Sequence, residues 1–390
     1  VISKQILLHI KMSENSEFPS LMNSSLETIR HYLHSYPELS NHEGQTASYI
    51  VKWLQEANAT RILTGIGGCG VVGLFSGPTD GPRVMLRAEL DALPVTENGQ
   101  NFVAHSCGHD GHMTILLGIA KRLALNPPQR GEVILLFQPA EETGDGARAV
   151  VEDRQFKELI KPDVAYALHN QPGRRFGEIS IREGAFACAS RGMIIKLHGR
   201  CSHAAHPEQG LSPLHTMCNL LKGLEQLPQS LSPTEDLRLV TIIHAKLGEI
   251  AFGTSPGEAV IMATLRTATD ALMQPLVQAA CDLVQRETQT AGLTYDIEFQ
   301  DIFAAVFNDP QATQDVIDCT KQVTLLDVPN RWSEDFGVYS TVCPSAMFLL
   351  GAGEKMSVLH DSAYDFPDAL IEDGVEIFWS LVQKHLFRNG

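Results

Sequence analysis

Apolar residues recur along this chain in two periods. Leu26, Ile29 and Leu33 fall at helical spacing, as do Ala47, Ile50, Val51 and Leu54. Between these two predicted helices, Pro37 in His34-Ser35-Tyr36-Pro37-Glu38-Leu39 marks a break. Short apolar runs then predict strands over 70–75, 84–88, 132–137 and 164–168, with a further one over 346–350. Residues 113–123 are apolar at almost every position and contain no proline, which predicts a buried helix. A final helix is expected over 371–386.

Strands alternating with helices imply an open, mixed but largely parallel sheet with flanking helices, an α/β architecture. From about Ala189 the texture changes. Strands over 193–197, 239–244, 259–265 and 294–299, with helices over 213–227 and 273–290, give the order β-α-β-β-α-β. That is the ferredoxin-like α+β pattern, sufficient for a small separate domain. The expected organisation is an N-terminal extension (1–20), a catalytic domain in two pieces (21–188 and 302–390) and an inserted lid domain (189–301). A chain of 390 residues is consistent with two domains.

Composition narrows the partners. The formal charge of −16 argues against a nucleic-acid partner, and no apolar run is long enough to span a bilayer. Any anionic substrate must therefore be met by a local positive site. The eight cysteines are scattered with no paired spacing, which reads as reduced thiols in a cytoplasmic protein.

The chemistry collects where the predicted strands stop. Ligands of open α/β sheets gather beyond the strands' carboxyl ends, and Glu89, Asp91, Glu141, Glu142 and His169 all fall there. Ahead of the buried helix, His105-Ser106-Cys107-Gly108-His109-Asp110-Gly111-His112 forms a polar loop. An extended loop there would point Cys107 and His109 the same way. Thiolate and imidazole are ligands that zinc and neighbouring metals prefer. Glu141 and Glu142 are adjacent, so one can bind metal while the other takes a proton from an activated water. With His169 and His360, each following an apolar run, the candidate ligands are Cys107, His109, Glu142, His169 and His360. These are too few for two well-filled metals unless a thiolate or water is shared. In the inserted domain, His203 suits a donor to a developing oxyanion and Arg266 a bidentate clamp for a substrate carboxylate.

These motifs together resemble the M20 metallopeptidase family, in its amidohydrolase branch. The matching stretches are Tyr36-Pro37-Glu38-Leu39, Arg87 to Pro94, His105 to His112, Phe137 to Glu142, Leu168-His169, His203-Ala204-Ala205, Ser333-Glu334-Asp335-Phe336 and Leu359-His360-Asp361-Ser362. The resemblance implies a zinc-peptidase-like, two-metal catalytic domain interrupted by a lid that often also forms a homodimer. It implies Cys107, His109, Glu142, His169 and His360 as metal ligands and Glu141 as general acid/base. His203 matches the lid histidine, and Asp91 the carboxylate that orients a ligand histidine. Three positions depart from the pattern. Glu89 stands where many members carry aspartate, Gly253-Thr254-Ser255-Pro256 replaces an Asn-initiated loop, and Glu208 replaces a second histidine.

The expected activity is hydrolysis of N-acyl amino acids, or similar small amides, with two divalent metals (manganese, zinc or nickel) as cofactor. A dipeptidase or aminopeptidase on the same metals is the nearest alternative. A non-catalytic binding protein would be expected to have lost Glu141 or a ligand.

Overall fold

The computed structural model describes residues 21–233 and 236–387. The expected extension over 1–20 lies outside the described residues. An eight-stranded sheet forms the larger body, in the order Arg61–Ile66, Gly70–Ser76, Glu132–Gln138, Arg83–Glu89, Val164–Pro172, Ser345–Gly353, Ile179–Ile181, Val323–Leu325. The four central strands, Glu132–Gln138 to Ser345–Gly353 in that order, are mutually parallel. Antiparallel pairings bring in Gly70–Ser76, Arg61–Ile66 and Ile179–Ile181, so the sheet is mixed and largely parallel.

Both faces of those central strands are covered, which is why they read as unbroken apolar runs. Val84, Leu86 and Ala88 point to one core with Leu135, Phe137, Tyr166, Phe348 and Leu350. That core is closed by the helices Leu26–Ser35, Gly44–Glu56, His109–Leu125 and Leu370–Leu386. Met85, Ile134, Leu136, Ala165, Ala167, Met347 and Leu349 point to the opposite core, beneath Gly146–Glu152 and the short helix Asp335–Thr341.

The strands Ala189–His198, Arg238–Leu247, Glu258–Thr267 and Thr294–Phe303 form a separate antiparallel sheet. The helices Leu214–Ser230 and Asp270–Ala291 pack on it over a third apolar cluster. Its order, with the first-formed strand between the third and the fourth, is that of a ferredoxin-like unit. Among the described residues no helix is long and apolar enough to cross a membrane. None of the eight cysteines is in a disulfide.

The helix His109–Leu125 is buried almost all round, and glycines let its neighbours approach. A Cβ at Gly111 would meet the Phe366 ring at 2.3–2.5 Å. Alanine would gain about 1 kcal/mol of helix propensity there. Phe366 is buried and cannot swing clear, so overpacking at roughly 1–3 kcal/mol should dominate. Gly111→Ala is expected to lower the urea midpoint; an unchanged or raised midpoint would contradict this packing.

Candidate metal centre

The parallel strands end at one rim, where the acidic and imidazole groups collect. Arg83–Glu89 finishes on Glu89 and leads to Asp91, Glu132–Gln138 leads to Glu141 and Glu142, and Val164–Pro172 carries His169. His360 follows Ser345–Gly353 and is tied back by its backbone N–H, which donates to the Ser106 carbonyl at 2.9 Å.

Three local expectations are corrected. The helix begins at His109, so His109, Asp110 and His112 occupy its first turn and do not lie on a loop before it. Nor is the approach extended: Gly108 caps the helix at φ 88°, in the left-handed region that favours glycine. A Cβ there would also meet the Asn170 side chain at 2.5 Å. A tight turn, then, brings Cys107 and His109 to one space. His169 likewise lies inside its strand, which continues to Pro172.

The candidate donors converge. Ligand atoms of Cys107, His109 and His169 lie within 4.8 Å of one another, as do those of Cys107, Glu142 and His360, and those of His109, Glu141 and Glu142. Cys107 Sγ is 3.5 Å from His169 Nε2, and His360 Nε2 is 3.8 Å from Glu142 Oε2. His109 Nδ1 donates to the Asp91 carbonyl at 2.9 Å, which leaves Nε2 aimed into the cluster. That nitrogen and Glu142 Oε1 are buried with no hydrogen-bond partner. Unpartnered buried polar atoms are rare and costly. With a thiol, imidazoles and a carboxylate around them, they fit divalent first-row cations.

Not every imidazole of the motif is available. His112 Nε2 accepts from the Asn170 N–H at 3.1 Å, so its Nδ1 donates to Glu89 Oε2 at 2.7 Å. Both its nitrogens are spent, and Glu89 is committed to that contact and to Arg87. Arg87 is fully buried and also binds Glu334 at 2.8 Å, Asp335 at 2.7 Å and Gln138 at 2.9 Å. Sequence reasoning gave Arg87, Glu334 and Asp335 no role; the adjacent carboxylates of Ser333-Glu334-Asp335-Phe336 were the available signal.

The electrostatics follow from burial and crowding. Burial, then Glu334 and Glu142, push the Glu141 carboxyl well above its usual range. Burial also raises Glu142 to about 7, against the pull of His109. The Cys107 thiol is pushed well up by burial and by Glu142 and Glu141. Burial opposes charge on His109, yet Asp91, Glu89 and Glu142 raise it to about 10. Burial and His112 lower His169 to about 3, so it stays neutral.

The cleft over this cluster has a volume of about 270 Å³, and its walls include Trp332, Phe303 and Arg266. The Trp332 ring lies 5.7 Å from that of His169. Arg266 reaches in from the strand Glu258–Thr267 of the smaller unit and donates to Ser333 Oγ at 2.5 Å. Among the described residues no carboxylate lies within ion-pair distance of it. His203 is not brought to the cleft. It is exposed on the two-residue strand Ser202–His203, paired with Thr254 of the loop that departs from the family pattern. Asp91 is buried beside His109, its Oδ2 accepting from Ser40 Oγ at 2.7 Å and from the Glu142 N–H at 3.0 Å.

Residues 85–384 match the profile of peptidase family M20/M25/M40. An N-acetyldiaminopimelate deacetylase of Lactobacillus acidophilus is 28% identical over 372 residues, covering 91% of this chain and 96% of the relative. A hippurate hydrolase of Campylobacter jejuni is 28% identical over 378 residues, covering 94% and 97%. Among solved structures, a Bacillus subtilis protein described as a dinuclear metal-binding peptidase superposes with a TM-score of 0.75. It is 24% identical, over 92% of this chain and 96% of that one.

Metal uptake here should release protons. Burial favours the protonated Cys107 and Glu142, and the neighbouring carboxylates favour the protonated His109, whereas a metal bound by these residues would need all three deprotonated. Affinity should therefore rise with pH between about 6 and 9, by roughly tenfold per pH unit for each proton lost. Calorimetric titration of zinc in buffers of differing ionisation enthalpy measures this; a buffer-independent heat would contradict it.

Proposed function

This chain belongs to peptidase family M20/M25/M40, and we propose that it hydrolyses the amide bond of N-acyl amino acids with Glu141 as general acid/base. One observation carries the assignment. Glu141 is buried beside Glu142 and His109 on one side and Glu334 and Asp335 on the other, in a cleft that Arg266 enters. We assign Cys107, His109, Glu142, His169 and His360 as the holders of two divalent ions, drawn from zinc, manganese and nickel. When bound, such ions supply an acidified water and a polarised substrate carbonyl.

The chain's own residues do the rest. Asp91 fixes the His109 ring through its backbone carbonyl and holds the Glu142 N–H with its carboxylate. Glu141 loses its own proton when positive charge offsets Glu142 and Glu334, and can then accept one from the attacking water. It returns that proton to the leaving nitrogen. Arg266 binds the substrate's α-carboxylate, with Ser333 holding one guanidinium nitrogen in place. His203 donates to the oxyanion only if the inserted unit closes over the cleft or a second copy lends its own; a homodimer through that unit is part of this reading. Eight unpaired thiols support a reducing, cytoplasmic setting.

Three measurements test the assignment. Glu141→Gln should lower kcat by roughly 100- to 10,000-fold while metal content stays at the wild-type level; full activity would remove Glu141 from the mechanism. Arg266→Ala should raise KM for an N-acetyl amino acid far more than for the same compound with its carboxylate amidated. Equal effects on both would deny Arg266 its partner. The wild-type enzyme should also cleave N-acetyl amino acids in preference to the matching dipeptides, and the opposite order would favour a dipeptidase.

A further inference from the structure

Glu43 stands at the N-cap of the helix Gly44–Glu56, yet its side chain makes no capping bond. Glu38 caps instead: its Oε2 accepts from the Gln45 N–H at 2.9 Å, the Thr46 N–H at 2.8 Å and Thr46 Oγ1 at 3.0 Å. The Glu43 carboxylate is thereby free to turn away from its helix. It is fully buried, and its Oε1 accepts from the Ala140 N–H at 2.8 Å and the Asn41 N–H at 2.9 Å.

Ala140 is the residue before Glu141, and its φ is +52°. A non-glycine residue in the left-handed region must be held there by its surroundings. On the other side of Glu141, the Glu142 N–H is held by Asp91, which Ser40 of the Glu43 loop also binds. Carboxylates from two separate segments thus grip the amides on either side of Glu141, and one short stretch, Ser40 to Glu43, touches both grips.

We propose that Glu43 is a positioning residue for the hydrolysis, holding Glu141 at its working angle through the Ala140 backbone; this rests on the role assigned to Glu141 above. Glu43 touches neither substrate nor metal ligand, so its effect should fall on kcat. What matters is the reach of an acceptor oxygen to the Ala140 N–H, and this separates two conservative variants. Glu43→Gln keeps the reach and loses the charge, whereas Glu43→Asp keeps the charge and falls one methylene short.

The test uses the metal-loaded full chain and an N-acetyl amino acid that the wild type cleaves. Glu43→Asp should lower kcat by roughly 10- to 100-fold with KM and metal content unchanged. Glu43→Gln should retain most of the wild-type kcat. Glu38→Ala, which removes the helix cap, should lower the melting temperature and leave kcat alone. A Gln variant as impaired as the Asp variant, or a Glu38→Ala variant that loses kcat to the same degree, would overturn the proposal. A crystal structure of the Asp variant supplies an arm that needs no substrate: Ala140 should leave the left-handed region and Glu141 should shift. Finding both unmoved overturns the clamp. A wild type inactive on every N-acyl amino acid would instead strike the proposed activity, and the crystallographic arm would still decide the role of Glu43.

Discussion

The constraint on which this structure depends is an excess of buried negative charge at the carboxyl ends of its central strands. Glu89, Asp91, Glu141, Glu334 and Asp335 are all buried there, with Glu142 and the Cys107 thiol beside them. Arg87 lies behind them, fully buried, and burial opposes its charge, but Glu334, Glu89 and Asp335 hold its pKa well above the usual value. One guanidinium can neutralise the rear of such a group and no more. Charge left uncompensated in a low-dielectric site is relieved either by protons or by bound cations. Burial and mutual repulsion push Glu141, Glu142 and Cys107 towards their protonated forms, which is the first kind of relief. Divalent ions held by the proposed ligands would take over that role, which would couple metal uptake to the deprotonation proposed for Glu141.

The fold serves this arrangement by bringing distant segments to one rim. Arg87 and Asp335 are 248 positions apart and meet because a parallel sheet collects the ends of its strands. The apolar runs of the central strands were legible because burial on both faces leaves no alternation to obscure them. So was the ferredoxin-like order of the smaller unit, whose strands only lengthened by a few residues in the structure. The strands Arg61–Ile66, Ile179–Ile181 and Val323–Leu325 were not legible, being short or partly exposed and so poor in pattern.

Within the site, residue types were easier to read than conformations. Cys107, His109, Glu142, His169 and His360 could be singled out by the donor atoms their side chains carry. That Ala140 and His360 both sit at positive φ could not, since neither is a glycine or asparagine that would announce a left-handed turn. The Arg87 network was hidden for another reason: the adjacent carboxylates Glu334 and Asp335 stand out locally, but only tertiary contact makes them partners of a residue on the strand Arg83–Glu89. His203 illustrates the converse. Its motif was clear, but its distance from the rim depends on how the inserted unit sits over the sheet, a matter on which local sequence is silent.

The same charge excess bears on how a substrate with a free carboxylate could enter. The chain carries a formal charge of −16, which repels anions at long range. At physiological ionic strength that repulsion is screened beyond about 8 Å, so local charge at the cleft governs the last step of approach. The cleft is lined by Glu141, Glu142 and Glu334, and the one unpaired Lys or Arg among its described lining residues is Arg266. Arg266 comes from the smaller unit, while the carboxylates come from the sheet, so the two units present opposite signs across the cleft. An N-acyl amino acid has its anionic end and its scissile amide only a few bonds apart. Such a molecule would satisfy both walls at once if bound cations turned the sheet side from repulsive to attractive. On the proposed function, the acidity that favours bound cations would also tie capture of an anionic substrate to their presence.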